Sequence, residues 1–146
     1  MPDSDQSQDA QTGSARASIL KQARLLIGTS YDKLDCSHMV WTAYKNAGYE
    51  FPYTSTSAYP AVLVGTYFVE ITEAELKPGD LILYSGHVGI YDPDGCSIVN
   101  TAQCQGQKDA SEMRVLSARS GKNLGTEYGR SSWFGTPKKY LKWKSF

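Results

Sequence analysis

The feature that most constrains this chain is a change of hydrophobic period after Gly48. Before it, apolar residues recur at helical spacing. Ile19, Leu20, Ala23, Leu26 and Ile27 form one stripe, which Ser18 can cap and Gly28 ends. Val40, Ala43, Tyr44 and Ala47 form a second, in a helix expected from Cys36 to about Ala47, with Gly48 at the position after its cap. Beyond it the spacing turns to short β-branched or aromatic runs: Tyr67–Ile71, Asp80–Tyr84, His87–Asp92, Ser97–Ala102 and Glu112–Ser117, then Lys139–Trp143. Lys77-Pro78-Gly79, Ser85-Gly86 and Pro93-Asp94-Gly95 separate them as turns. Helices followed by an antiparallel meander predict an α+β fold, with N-terminal helices packed on a sheet of about five to six strands.

At 146 residues the chain is sized for one domain. Residues 1–17 are polar and low in complexity and read as a disordered lead-in, leaving 18–146 as the single domain. Lys plus Arg (15) balance Asp plus Glu (15), so no basic excess points to nucleic acid or an anionic membrane. The longest apolar runs, Ala61–Val64 and Leu81–Tyr84, fall far short of the about 20 residues a membrane span needs. The N-terminus has neither the basic nor the apolar region of a secretory signal. The chain is therefore expected to stay in the cytoplasm, to leave by another route, or to stand here without its leader. Cys96 and Cys104 flank the expected strand Ser97–Ala102, whose extended length at roughly 3.3 Å per residue disfavours a disulfide between them.

Cys36 opens the second helix. A helix N-terminus carries about half a positive charge, which favours thiolate over thiol, and its free N–H groups can donate to an oxyanion. The plainer reading is a buried structural cysteine. His87 begins a strand just after a turn. If the next hairpin turns at Asp94-Gly95, Asn100 becomes the diagonal same-face neighbour of His87, roughly 5–8 Å away. A slip of one residue substitutes Thr101 or Gln103. A thiol, an imidazole and a polar residue orienting it are the parts of thiol acyl transfer.

Three segments in order, Asp35-Cys36-Ser37-His38-Met39-Val40, Leu76-Lys77-Pro78-Gly79-Asp80-Leu81 and His87-Val88-Gly89-Ile90-Tyr91, resemble the NlpC-type cell-wall cysteine peptidases over roughly residues 18–105. The resemblance implies a papain-like α+β domain hydrolysing amide bonds in peptidoglycan stem peptides. By motif, Cys36 would be nucleophile and His87 general base, with Asn100 where the family places a third polar residue. Tyr31, Asp35 and Ser37 match positions that line the site or shape substrate contacts. His38 stands where the family usually has Gly, and joins them as a substrate-side candidate. No metal or cofactor is implied.

A zinc site is disfavoured, because Cys36 and His38 with Cys96, Cys104 or His87 match no common zinc spacing. The same motifs also fit a thiol hydrolase acting on a non-wall substrate, or a catalytically inactive wall-binding module. Lys138, Lys139, Lys142 and Lys144 read as a solvated edge strand rather than a nucleic-acid patch. Tyr53, Tyr59 and Tyr67 either line the cleft or complete the core. The expected place of action is the periplasm or cell wall. The expected form is a monomer delivered by another machine, such as a secretion system or phage particle, with a cognate immunity protein as partner.

Overall fold

The computed structural model describes residues 4–99, 101, 104, 112–120 and 125–146. Helix α1 (Ser4–Leu25) and helix α2 (Cys36–Asn46) come first, with short helical turns α3 (Tyr59–Val62) and α4 (Gly95–Ile98) in later connections. Six strands follow: β1 (Phe68–Ile71), β2 (Leu81–Tyr84), β3 (His87–Tyr91), β4 (Val115–Ala118), β5 (Thr126–Gly129) and β6 (Lys139–Trp143). They form one antiparallel sheet in the order β1-β6-β2-β3-β4-β5, with the helices packed against it, the expected α+β arrangement.

The pleat sorts the core into two faces. Leu81 and Leu83 of β2, with Val88 and Ile90 of β3, pack under the helices with Ile19, Ala23, Met39, Val40 and Tyr44. Ile82, Tyr84 and Val115 make a smaller cluster on the other face, covered by Leu76, Tyr91, Phe134 and Tyr140.

Several expectations are corrected. The lead-in assigned to residues 1–17 belongs to a helix from Ser4 onward. It lacks an apolar stripe, but extending a helix already anchored at Ile19, Leu20 and Ala23 costs little. Arg16 is buried, and its guanidinium lies 2.6 Å from Asp80. Of the expected strand Ser97–Ala102, Ser97 and Ile98 are helical, and Asn100 and Ala102 lie outside the described residues. Residues Gly95–Ile98 make a helical turn, which shortens the path enough to bring the Cα atoms of Cys96 and Cys104 to 5.3 Å, and the two are disulfide-bonded. β3 pairs instead with β4, Ile90 opposite Leu116 and Tyr91 opposite Val115. β5, in the polar run Thr126–Gly129, had no strand signal. β6 lies between β1 and β2, so its lysines do not guard an edge; Lys139 pairs with Glu70 at 2.9 Å.

Two buried carboxylates tie α1 to the strand ends. Asp80 accepts from the Lys77 backbone N–H and from Arg16. Asp92 receives both Arg24 nitrogens, at 3.0 and 2.7 Å, and the Tyr128 hydroxyl at 2.7 Å. The Pro78-Gly79 turn is held from the other side, where the Tyr44 hydroxyl donates to the Gly79 carbonyl. Gly79 has a φ of 95°, which an L side chain adopts only at a cost.

Candidate active site

Cys36 is the first residue of α2. Asp35 caps the helix, its carboxylate accepting from the His38 backbone N–H at 2.9 Å. The same oxygen accepts from Ser37 Oγ at 3.1 Å and lies 2.7 Å from His38 Nδ1. Burial alone would raise the Asp35 carboxyl, but the His38 and Ser37 hydrogen bonds outweigh it and hold the group below its ordinary value. The His38 ring stacks on Tyr53 with centroids 4.0 Å apart, and the Tyr53 hydroxyl is 3.0 Å from Ser37 Oγ. Tyr53 also meets Trp41 edge-on. Trp41, Phe51 and Tyr67 line an open pocket of about 450 Å³ beyond it.

The thiol faces elsewhere. Cys36 and His38 are two positions apart, about 200° around the helix. Cys36 is buried, and its Sγ lies 3.4 Å from Thr56 Oγ1. Tyr31 packs against the buried cluster that contains Cys36, and burial, then charge on Cys36, raises its phenol above its ordinary pKa. Thus Tyr31, Asp35, Ser37 and His38 all gather around the start of α2, with His38 on its outer side.

His87 is held differently. It opens β3 directly opposite Tyr84, on the face carrying Ile82 and Tyr84, whereas Cys36 belongs to the helical face. Its ring stacks on Phe134 at 4.2 Å, and its Nε2 is 3.0 Å from Ser117 Oγ. Gly89 makes room for this: a Cβ there would overlap Val115 and press on Ser117. Burial first, then the Arg119 cation, pushes the imidazole down to about 4. No hydrogen bond joins Cys36 to His87 among the described residues.

Asn100 and Gln103 lie outside the described residues. β3 pairs with β4, and the residue this pairing brings to the His87 ring is Ser117. Position 117 lay within an expected strand, but with no register to β3 the sequence offered no signal for it. Phe134 and Thr56 were equally silent. Cys96 and Cys104 are bonded to each other, and among the described residues no three metal-ligating side chains converge. No helix among them is long and apolar enough to cross a membrane.

No curated protein matches the chain. The profile of the NlpC/P60 family matches residues 25–127, which takes in α2 with Cys36, the Pro78-Gly79 turn and the sheet from β1 through β4 into the start of β5. With a matching α+β fold beneath that span, the chain belongs to the NlpC/P60 family of cysteine peptidases and amidases that act on peptidoglycan.

Proposed function

We propose that this protein hydrolyses an amide bond in peptidoglycan stem peptides through a thioester on Cys36. The observation that carries the reading is a cysteine at the first position of a capped helix, inside the span that matches the family. There the helix dipole favours thiolate, and the free N–H groups of the first turn can hold the oxyanion. The thiolate attacks the carbonyl, the imidazolium of His87 protonates the leaving amine, and water releases the acyl group. Tyr31, Asp35, Ser37 and His38, gathered around the start of α2, form the substrate side.

This mechanism requires His87 to leave the Phe134 stack. It is the first residue of β3, after the two-residue turn Ser85-Gly86, where the ladder to β2 ends. Movement of that hairpin would free the ring, and Asn100 is the residue proposed to orient it. The conformation described is then a resting one, its imidazole neutral and parked. The second reading, an inactive wall-binding module, is favoured by one observation: among the described residues no hydrogen bond joins Cys36 to His87.

The disulfide supports action where thiols are oxidised, as in a periplasm or cell wall. Delivery by a secretion system or phage, with an immunity protein as partner, belongs to the same proposal. Detection of native protein only in its producer's cytoplasm would sink the delivery idea.

Digestion of purified sacculi and defined stem peptides, with product masses read for wild type and Cys36→Ala, tests the function. Fragments that depend on Cys36 are expected and would name the bond. Intact wall with a rapidly alkylated Cys36 would indicate a thiol hydrolase with another substrate. Intact wall and an inert thiol would favour the binding module.

A further inference from the structure

Tyr59 is fully buried, yet its hydroxyl has no hydrogen-bond partner among the described residues. A buried donor left unpaired costs stability, and a phenylalanine would fill the same space without that cost. The location of this orphan is informative. The turn Thr56–Ala58 is a single 3₁₀ turn closed by the Tyr59 N–H on the Thr56 carbonyl. Side chains three apart in such a turn eclipse, so Thr56 and Tyr59 face the same way. Thr56 Oγ1 touches Cys36 Sγ, and Tyr59 shares the buried cluster of Cys36. After burial, charge on Cys36 is the largest influence on the phenol, ahead of Tyr53 and Asp35.

We propose that the Tyr59 hydroxyl is a donor reserved for negative charge at Cys36: when the thiol ionises, the phenol turns onto the thiolate and stabilises it alongside Thr56. The inference rests on the reading of Cys36 as nucleophile. No proton moves in this step, because burial holds the phenol well above its ordinary pKa and it keeps its proton while donating. The unpaired hydroxyl of the resting protein is thereby satisfied only in the ionised state, so the penalty of leaving it unpaired favours ionisation.

The test is the pH dependence of Cys36 alkylation by iodoacetamide in wild type and Tyr59→Phe, with the melting temperature of each. Tyr59→Phe should move the profile up by about one pH unit, a roughly tenfold slower reaction near neutrality, for the loss of one charge-assisted hydrogen bond. Its melting temperature should hold or rise. Difluorotyrosine at position 59, a stronger donor of nearly the same shape, should move the profile down. Superimposable profiles would overturn the proposal. So would a rate lost equally at every pH together with a lower melting temperature, which would make Tyr59 a packing residue. Alkylation needs no wall substrate, so a shifted profile in a protein that leaves sacculi intact would reject the stem-peptide reading and keep this one.

Discussion

His87 Nε2 lies 3.0 Å from Ser117 Oγ, a contact between residues thirty apart that β3–β4 pairing creates and Gly89 makes room for. It holds the imidazole among Tyr84 and Phe134, on the sheet face of Ile82 and Tyr84. The consequence is electrostatic as much as geometric, because the ring is neutral there.

That neutrality gives stability a pH dependence. The unfolded chain protonates this histidine near pH 6.5, whereas the folded chain does so only near 4. The stabilisation is complete above about pH 6.5 and falls as pH drops toward 4, by on the order of 3 kcal/mol. Urea unfolding at pH 7.5 and 4.5 should show wild type losing more stability than His87→Gln by about that amount. Equal losses would mean that the ring is not buried as described.

Cys36→Ala should abolish turnover while leaving the unfolding midpoint within about 1 kcal/mol of wild type, since Ala fills most of the site. Asn100→Ala should lower kcat more modestly. Ser117→Ala should cost about 1 kcal/mol of stability and spare turnover, because Ser117 holds the parked ring and not the working one. Steady-state kinetics on a defined stem peptide separates them. A crippled Gln103→Ala or Ser117→Ala would move the orienting role to that residue.

The N-terminal helix should prove integral to the fold. Arg16→Ala leaves the Asp80 carboxylate buried without its cation, a situation that typically costs about 3–5 kcal/mol. Removal of residues 1–17 should cost at least as much. Restoration by Arg16→Met with Asp80→Asn would tie the loss to the unpaired charge. A truncated chain with unchanged denaturant midpoint would contradict the burial of Arg16.

Reduction should weaken the protein measurably. The Cys96–Cys104 bridge closes a loop of eight residues, and a loop that short stabilises by about 2–3 kcal/mol through the unfolded chain. Thermal melts with and without dithiothreitol, and a Cys96→Ala, Cys104→Ala pair, should agree on that size. No difference would indicate that the bridge does not form in solution.

Local pattern carried most of the fold. The α2 stripe, its start at Cys36 and its Gly48 stop, strands β1, β2, β3 and β6, and the α+β class are legible because each depends on residues within one turn or one strand. The grouping of Tyr31, Asp35, Ser37 and His38 was legible for the same reason, since all sit on one short stretch of chain around one helix start. The segment before Ser18 was misread because a polar helix has no apolar period to display. Its place is set by Arg16 meeting Asp80, sixty-four residues away.

What needed tertiary structure is everything that depends on which strand lies beside which. The sequence could propose a hairpin after β3, but a few residues of helical turn at Gly95 brought Cys96 to Cys104 and passed the pairing on to β4. That exchange chose Ser117 as the partner of His87 and set the face on which the ring rests. The sequence alone determined the chemistry available here, a thiol on a helix start and an imidazole at a strand start. Their relative placement was decided by long-range register, because strand side chains alternate and a change of neighbour reassigns every contact across the ladder.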